Sequence, residues 1–143
     1  MATPFSVNSE ATDLLFEKIQ SARSAIAQVW LGDPFVIDLL LVSVIASGHL
    51  LLEDVPGVGK TTLAKALASV MDLSFNRIQF TNDILPADML GGNIYNPKEG
   101  TFNFIPGPIF TDFVLADEIN RAPTRSQSAF LQAMEEGQVT VDG

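Results

Sequence analysis

The sequence predicts an α/β fold built on a parallel sheet, and three observations carry that reading. Short apolar runs at 50–52, 75–80 and 113–116 alternate with helical stretches, a glycine-rich loop joins the first run to a helix, and two acids close the third. The chain has 143 residues, 47% hydrophobic and 17% charged, which is enough apolar surface for a real core and too little charge for a disordered chain.

The elements follow in order. From 9 to 30, Leu14, Leu15, Ile19, Ala22, Ile26 and Val29 recur at steps of three and four, with Glu10, Asp13 and Glu17 near the start. That spacing makes one apolar stripe on a helix, and early acids suit the positive end of its dipole. Asp33 is placed to cap a second helix with Pro34 in its first turn, and Gly48 to end it near 47. The stretch 35–52 is apolar enough to raise a membrane span, but Asp38 interrupts it early and Gly48 and His49 break it late. A buried helix followed by a buried strand at 50–52 accounts for it, so no membrane span is expected.

A third helix follows the glycine loop, through Leu63, Ala64, Lys65, Ala66, Leu67 and Ala68. Strands at 75–80 and 113–116 are separated by a region, 81–111, too long to be a plain loop. Ile94-Tyr95 and the run 102–105 can pair there as a small hairpin. Thr124 with Gln127 has the spacing of a capping box for a helix through Glu136, which Gly137 closes. A strand is expected from 138 to 141, with Asp142-Gly143 at a hairpin tip.

The loop reads Asp54-Val55-Pro56-Gly57-Val58-Gly59-Lys60-Thr61-Thr62. Gly57 and Gly59 allow the backbone to curl so that successive N–H groups point inward, while the following helix adds its positive end; together they cradle phosphates. Pro56, Gly57, Val58 and Gly59 would wrap the ligand, Lys60 would reach the β- and γ-phosphates, Thr61 would offer its hydroxyl to Mg²⁺, and Thr62 would support the α-phosphate. The strict G-x-x-x-x-G-K-[ST] pattern is broken only at its first position, which is Asp54. In the second half of the constellation, Phe113-Val114-Leu115-Ala116-Asp117-Glu118, Asp117 is the candidate metal ligand. Glu118 is the candidate base that polarises the attacking water.

These residues resemble the MoxR family of AAA+ ATPases. The likeness is carried by Gly48-His49-Leu50-Leu51-Leu52-Glu53 leading into the loop, by Arg77-Ile78-Gln79-Phe80-Thr81, and by Gly107-Pro108-Ile109-Phe110. The fourth block is Leu115-Ala116-Asp117-Glu118-Ile119-Asn120-Arg121-Ala122-Pro123. The blocks cover nearly the whole chain, and the family tolerates the departure at Asp54. The resemblance implies a three-layer P-loop NTPase core with a parallel sheet, incomplete at its C-terminal side. It divides the chain into an N-terminal helix and adenine-side segment, 1–32, and a partial nucleotide-binding core, 33–143, with an insert in the second core helix at about 81–111.

It also implies that 29–33, with Leu31 and Gly32, lies near the adenine, and that Gln79 or Thr81 restrains Glu118. ATP and Mg²⁺ are the implied cofactors, with Lys60 and Glu118 as the catalytic pair. Hydrolysis would drive chaperone-like remodelling by a homo-oligomeric ring, a hexamer, acting beside a von Willebrand A domain partner. A sensor strand, an arginine acting on the neighbour's nucleotide and a helical lid would lie past Gly143, and the absent strand would sit between the strand leading to Asp54 and the one ending at Glu118.

Other signals narrow the field. Eight Lys and Arg against 17 Asp and Glu give a formal charge of −9, a poor match to nucleic acid as partner. The lack of cysteine removes thiolate chemistry and fits a reducing compartment, and MATPFSVNSE has no export signal; a cytoplasmic location is expected. His49, Trp30 and Tyr95 read as structural residues, and Asp83, Asp88 and Glu99 as solvated or capping acids. Arg121 and Arg125 face either a neighbouring subunit or solvent. A rival of another class is a non-hydrolysing module in which ATP organises an interaction surface. A P-loop kinase or GTPase fits less well, since no N-K-x-D motif occurs.

Overall fold

A computed structural model describes residues 9–53 and 59–139, which form two compact units, one running to Asp72 and one beginning at Leu73. The first is helical: α1 (Ser9–Ala27), α2 (Pro34–Ile45) and α3 (Lys60–Met71), with α1 packed against both others. Ile26 of α1 is fully buried, as are Ile37, Leu40 and Leu41 of α2 and Leu63, Ala64, Leu67 and Ala68 of α3. The α3 set recurs at steps of one and four, a single stripe along the helix. The N-terminal half of the α1 stripe departs from expectation, because Leu14 and Leu15 remain half exposed. Arg23 ties α1 to α2 through a bidentate pair with Asp38, Nε and Nη2 each donating to one carboxylate oxygen.

The start of α2 is as read from sequence. Asp33 Oδ1 accepts from Phe35 N at 2.9 Å, with Pro34 in the first turn. Its end is different. The left-handed residue is Ser47 (φ 50°), while Gly48 donates its N–H to Ser43 O at 2.7 Å and Ser47 to Val44 O at 3.0 Å. These two bonds satisfy carbonyls left over at the helix end. The helix itself is buried on one side only, with Phe35 and Val42 about 60% exposed. Leu50, Leu51 and Leu52 are apolar but belong to neither sheet, so the expected first strand does not form among the described residues. A strand exists only through its ladder, and apolar character without a partner does not make one.

In the second unit β1 (Phe75–Gln79) and β4 (Phe113–Asp117) pair in parallel, residue for residue from Phe75 opposite Phe113 to Gln79 opposite Asp117. Between them the chain forms the antiparallel hairpin of β2 (Gly91–Asn96) and β3 (Thr101–Pro106), as expected from Ile94-Tyr95 and 102–105, preceded by a short helix, α4 (Pro86–Leu90), that the sequence does not signal. Asp88 caps α4 by accepting from Leu85 N at 2.8 Å. Tyr95 stacks across the hairpin on Phe102, their ring centres 5.2 Å apart.

A 3₁₀ turn (Ile119–Arg121) leads to α5 (Thr124–Glu136), closed by Gly137 in the left-handed conformation. The expected capping box is absent: Thr124 already lies inside the helix, and Gln127 Nε2 instead donates to Ala122 O at 2.8 Å. The core gathers Ile78, Phe80, Met89, Ala122 and Phe130, with Phe80 and Phe130 edge to face, centres 5.1 Å apart. Burying a Phe contributes about 1.5–3 kcal/mol, so this pair fixes where β1 ends. Ser126, the one buried polar side chain among the described residues, donates to Ile84 O at 2.7 Å and stays satisfied.

A clasp joins the strands at their N-terminal ends. Asp112 Oδ2 accepts from Ser74 N (2.9 Å) and Ser74 Oγ (2.6 Å), and Ser74 Oγ accepts from Asp112 N and Thr111 Oγ1, both at 2.9 Å. The Ser74 hydroxyl and N–H hold the Asp112 carboxyl below the usual carboxylate range, and hydrogen bonding to Arg23 does the same for Asp38. Since both folded values are depressed, the stability they contribute is complete above about pH 4 and is lost as pH falls through the folded values. Asp112→Asn should therefore lower Tm at pH 7 and flatten its fall on acidification. Thermal melts from pH 7 to pH 2 check this, and parallel curves for the two proteins refute it.

Candidate functional site

Two groups of residues carry the expected chemistry, one in each unit. In the first, Gly59 takes the left-handed conformation (φ 91°) immediately before α3, a backbone state open to glycine at little cost. The first turn of α3 is then Lys60, Thr61 and Thr62, at the end of the helix where backbone N–H groups point along the axis toward a ligand. Lys60 Nζ donates to Leu52 O at 3.3 Å, which brings the stem of the loop back onto the residue that precedes it. Thr61 is half buried and Thr62 exposed. Asp54, Pro56, Gly57 and Val58 lie outside the described residues.

Beside this turn sits Trp30, which the sequence presents only as a packing residue. Its Nε1 donates to Asp33 O at 3.0 Å, so the ring folds back over its own segment. A methyl group added to Gly32 would overlap the ring, and one added to Gly59 would lie 3.8 Å from its Cζ3. The segment 29–33 thus comes to Gly59 through the Trp30 ring. Leu31, at 98% exposure, projects away from the protein.

In the second unit, the register of β1 on β4 sets Gln79 opposite Asp117, and Phe80 N donates to Asp117 O at 2.9 Å. Glu118 follows in the left-handed conformation (φ 58°), turning the chain off the sheet so that consecutive acids take different partners. Arg77 Nη2 pairs with Asp117 Oδ2 at 2.6 Å and also donates to Gln79 Oε1. Gln79 Nε2 donates to Glu118 Oε2 at 3.2 Å, and Arg121 Nη1 meets the same oxygen at 2.9 Å. Thr81, the other residue expected near Glu118, instead donates to Asp83 Oδ1 at 2.6 Å. Exposed ion pairs contribute only about 0–1 kcal/mol, so this row does little for stability and much for orientation. Arg77 and Arg121 were not assigned to the acid pair from sequence. The signal that finds Arg77 is parity, since residues two apart on a strand share a face.

The site lies at the carboxyl ends of parallel strands, where open α/β sheets bind ligands. Among the described residues no group of three or more His, Cys, Asp or Glu could hold a metal ion by itself. Mg²⁺ needs no such cage, because it takes one or two hard oxygen donors and fills its octahedron with phosphate and water. In the second unit the Asp117 carboxylate is a donor of that kind.

A left-handed glycine opening a helix and a parallel strand ending in two acids are features of an α/β P-loop NTPase core. Residues 49–143 match the ATPase family associated with various cellular activities (AAA). YeaC of Bacillus subtilis is 54% identical over 118 residues, 82% of this chain and 37% of that protein. The chaperone MoxR1 of Mycobacterium tuberculosis is 40% identical over 125 residues, 87% and 33% of the two chains, and MoxR of Paracoccus denitrificans is 32% identical over 124 residues, 83% and 36%. A crystallised candidate ATPase from Cytophaga hutchinsonii superposes with a TM-score of 0.78 at 45% identity, covering 92% of this chain and 40% of that one. The chain belongs to the MoxR-like AAA+ ATPases, and it spans 33–37% of the length of these three sequence relatives. No helix among the described residues is long and apolar enough to cross a membrane.

Trp30 is the sole tryptophan and so reports on its own surroundings. Gly32→Ala should push the ring aside, shifting intrinsic fluorescence and weakening nucleotide binding while the melting temperature stays within a few degrees. An unchanged emission spectrum would show that the ring does not rest on Gly32.

Proposed function

We propose that this chain binds Mg²⁺-ATP and that the protein to which it belongs hydrolyses it to remodel or assemble partner proteins. The observation that carries the reading is the pair of acids at the end of β4, each engaged by a separate partner from the neighbouring strand. Two carboxylates with distinct partners suit two distinct tasks. Membership in a MoxR-like ATPase family supports the reaction class.

In this reading Pro56, Gly57, Val58 and Gly59 wrap the phosphates, the last three through backbone N–H groups. Lys60 meets the β- and γ-phosphates as a point charge, and Thr62 steadies the α-phosphate. Leu31 and Gly32 border the adenine. Thr61 and Asp117 would hold Mg²⁺, which would supply positive charge to the phosphate oxygens. Glu118 accepts the proton of the attacking water, and while Gln79 and Arg121 occupy its carboxylate it is withheld from that water. The whole protein works as a homo-oligomeric ring, a hexamer, in which a neighbour's arginine contributes about 10³–10⁵ in rate, beside a von Willebrand A domain partner in the cytoplasm. The 1–32 and 33–143 division and the insert at 81–111 belong to the same proposal.

A non-hydrolysing ATP module is the second reading, favoured for this chain alone by the doubly engaged Glu118. Lys60→Ala should weaken ATP binding about 10- to 100-fold, as expected for loss of a charged hydrogen bond. Glu118→Gln should retain binding and lower turnover about 10²- to 10⁴-fold. Titration with fluorescent ATP and a phosphate-release assay read the two effects. Normal affinity in Lys60→Ala sinks the phosphate-loop assignment, while equal turnover in wild type and Glu118→Gln selects the module.

A further inference from the structure

We infer that Arg77 is a positioning residue that couples the metal carboxylate to the hydrolytic one: cation arrival at Asp117 loosens Arg77, and the loosened Arg77 lets Gln79 release Glu118. This rests on the Mg²⁺-ATP reading above and adds a link between its two acids. The geometry is a continuous row, Asp117–Arg77–Gln79–Glu118–Arg121, in which a single nitrogen, Arg77 Nη2, donates to both Asp117 Oδ2 (2.6 Å) and Gln79 Oε1. An NH₂ group has two hydrogens, so both bonds form together and both are spent.

That sharing has a directional effect. A carboxamide is two-faced, and binding its oxygen to Arg77 leaves only its NH₂ free to turn toward Glu118, where it donates at 3.2 Å. Arg77 therefore fixes which end of Gln79 Glu118 meets. A carboxamide oxygen facing Glu118 would repel it. The other side of the row is electrostatic: Asp117 is a single carboxylate that Arg77 already pairs, so a divalent cation arriving there competes with the guanidinium for the same charge. Register makes the arrangement obligatory, because Arg77 and Gln79 are two apart on β1 and Gln79 lies opposite Asp117. Arg121 Nη1 meets the same Glu118 oxygen at 2.9 Å, and Gln79 is the member of the row that ties that oxygen to Arg77 and Asp117.

The test is a pair of measurements that do not depend on turnover. In wild-type protein saturated with a non-hydrolysable ATP analogue, the side-chain amide resonances of Gln79 and the Nε–H of Arg77 are followed as Mg²⁺ is added. Both should move with the same midpoint. In Arg77→Met the Mg²⁺ midpoint should fall about two- to fivefold, the loss of a competing surface charge pair, and the Gln79 amide should be insensitive to Mg²⁺. A merely structural arginine predicts the opposite sign, a weaker or unchanged Mg²⁺ site. Binding of the Mg²⁺ complex without movement of the Gln79 amide overturns the coupling, and so does an unchanged or raised midpoint in Arg77→Met with a normal thermal melt. Should Arg77→Met fail to fold, the wild-type titration decides alone. Absence of any Mg²⁺-dependent nucleotide binding in wild type overturns the site reading and the coupling with it.

Discussion

The residue-for-residue parallel pairing of β1 with β4 is the constraint on which the second unit depends. It places Gln79 opposite Asp117, and with the two-residue period of a strand it places Arg77 on the same face. A slip of one residue would turn both side chains to the other face, taking Arg77 from Asp117 and Gln79 from Glu118. The register is held from both ends. At the start, Ser74 and Asp112 exchange bonds in both directions; at the finish, Phe80 is buried against Phe130 while its N–H meets Asp117 O. Between these anchors the ladder has no freedom to slide, and the acids inherit that rigidity.

Such anchoring explains why charge at this edge is organised by geometry rather than by energy. The ion pairs are partly exposed and contribute little to stability. Their worth lies in holding four flexible side chains in one arrangement on a backbone that has already been fixed by buried aromatic rings. The helical unit shows the same division of labour. Buried residues of α1, α2 and α3 set the scaffold, and the Trp30 ring, held by Asp33 O, brings the 29–33 segment to the glycine that opens α3.

Much of this was legible in the sequence wherever a residue type has one physical use. Gly59 before Lys60, the acids after a short apolar run, and aromatic and β-branched residues on either side of a glycine turn gave the opening of α3, the end of β4 and the 91–106 hairpin. What escaped depends on partners rather than on residue type. Leu50, Leu51 and Leu52 look like a strand, yet a strand needs a neighbour that these residues do not have in either sheet. Gly48 looks like the left-handed cap of α2, yet Ser47 takes that conformation because the bonds to Val44 O and Ser43 O demand it one residue earlier. Thr124 has capping-box spacing, but Pro123 comes first and the helix has already begun. The Arg77 and Arg121 contacts are long-range or turn-dependent, and composition alone does not encode them.

Glu118 illustrates a trade between durability and chemistry. Its backbone sits where glycine rests easily and a side chain costs about 1–2 kcal/mol. Selection for heat resistance alone would install glycine or asparagine at that turn. This chain carries a carboxylate there instead, so a thermostabilising screen on this protein would be drawn first to the position that the proposed mechanism gives to the base.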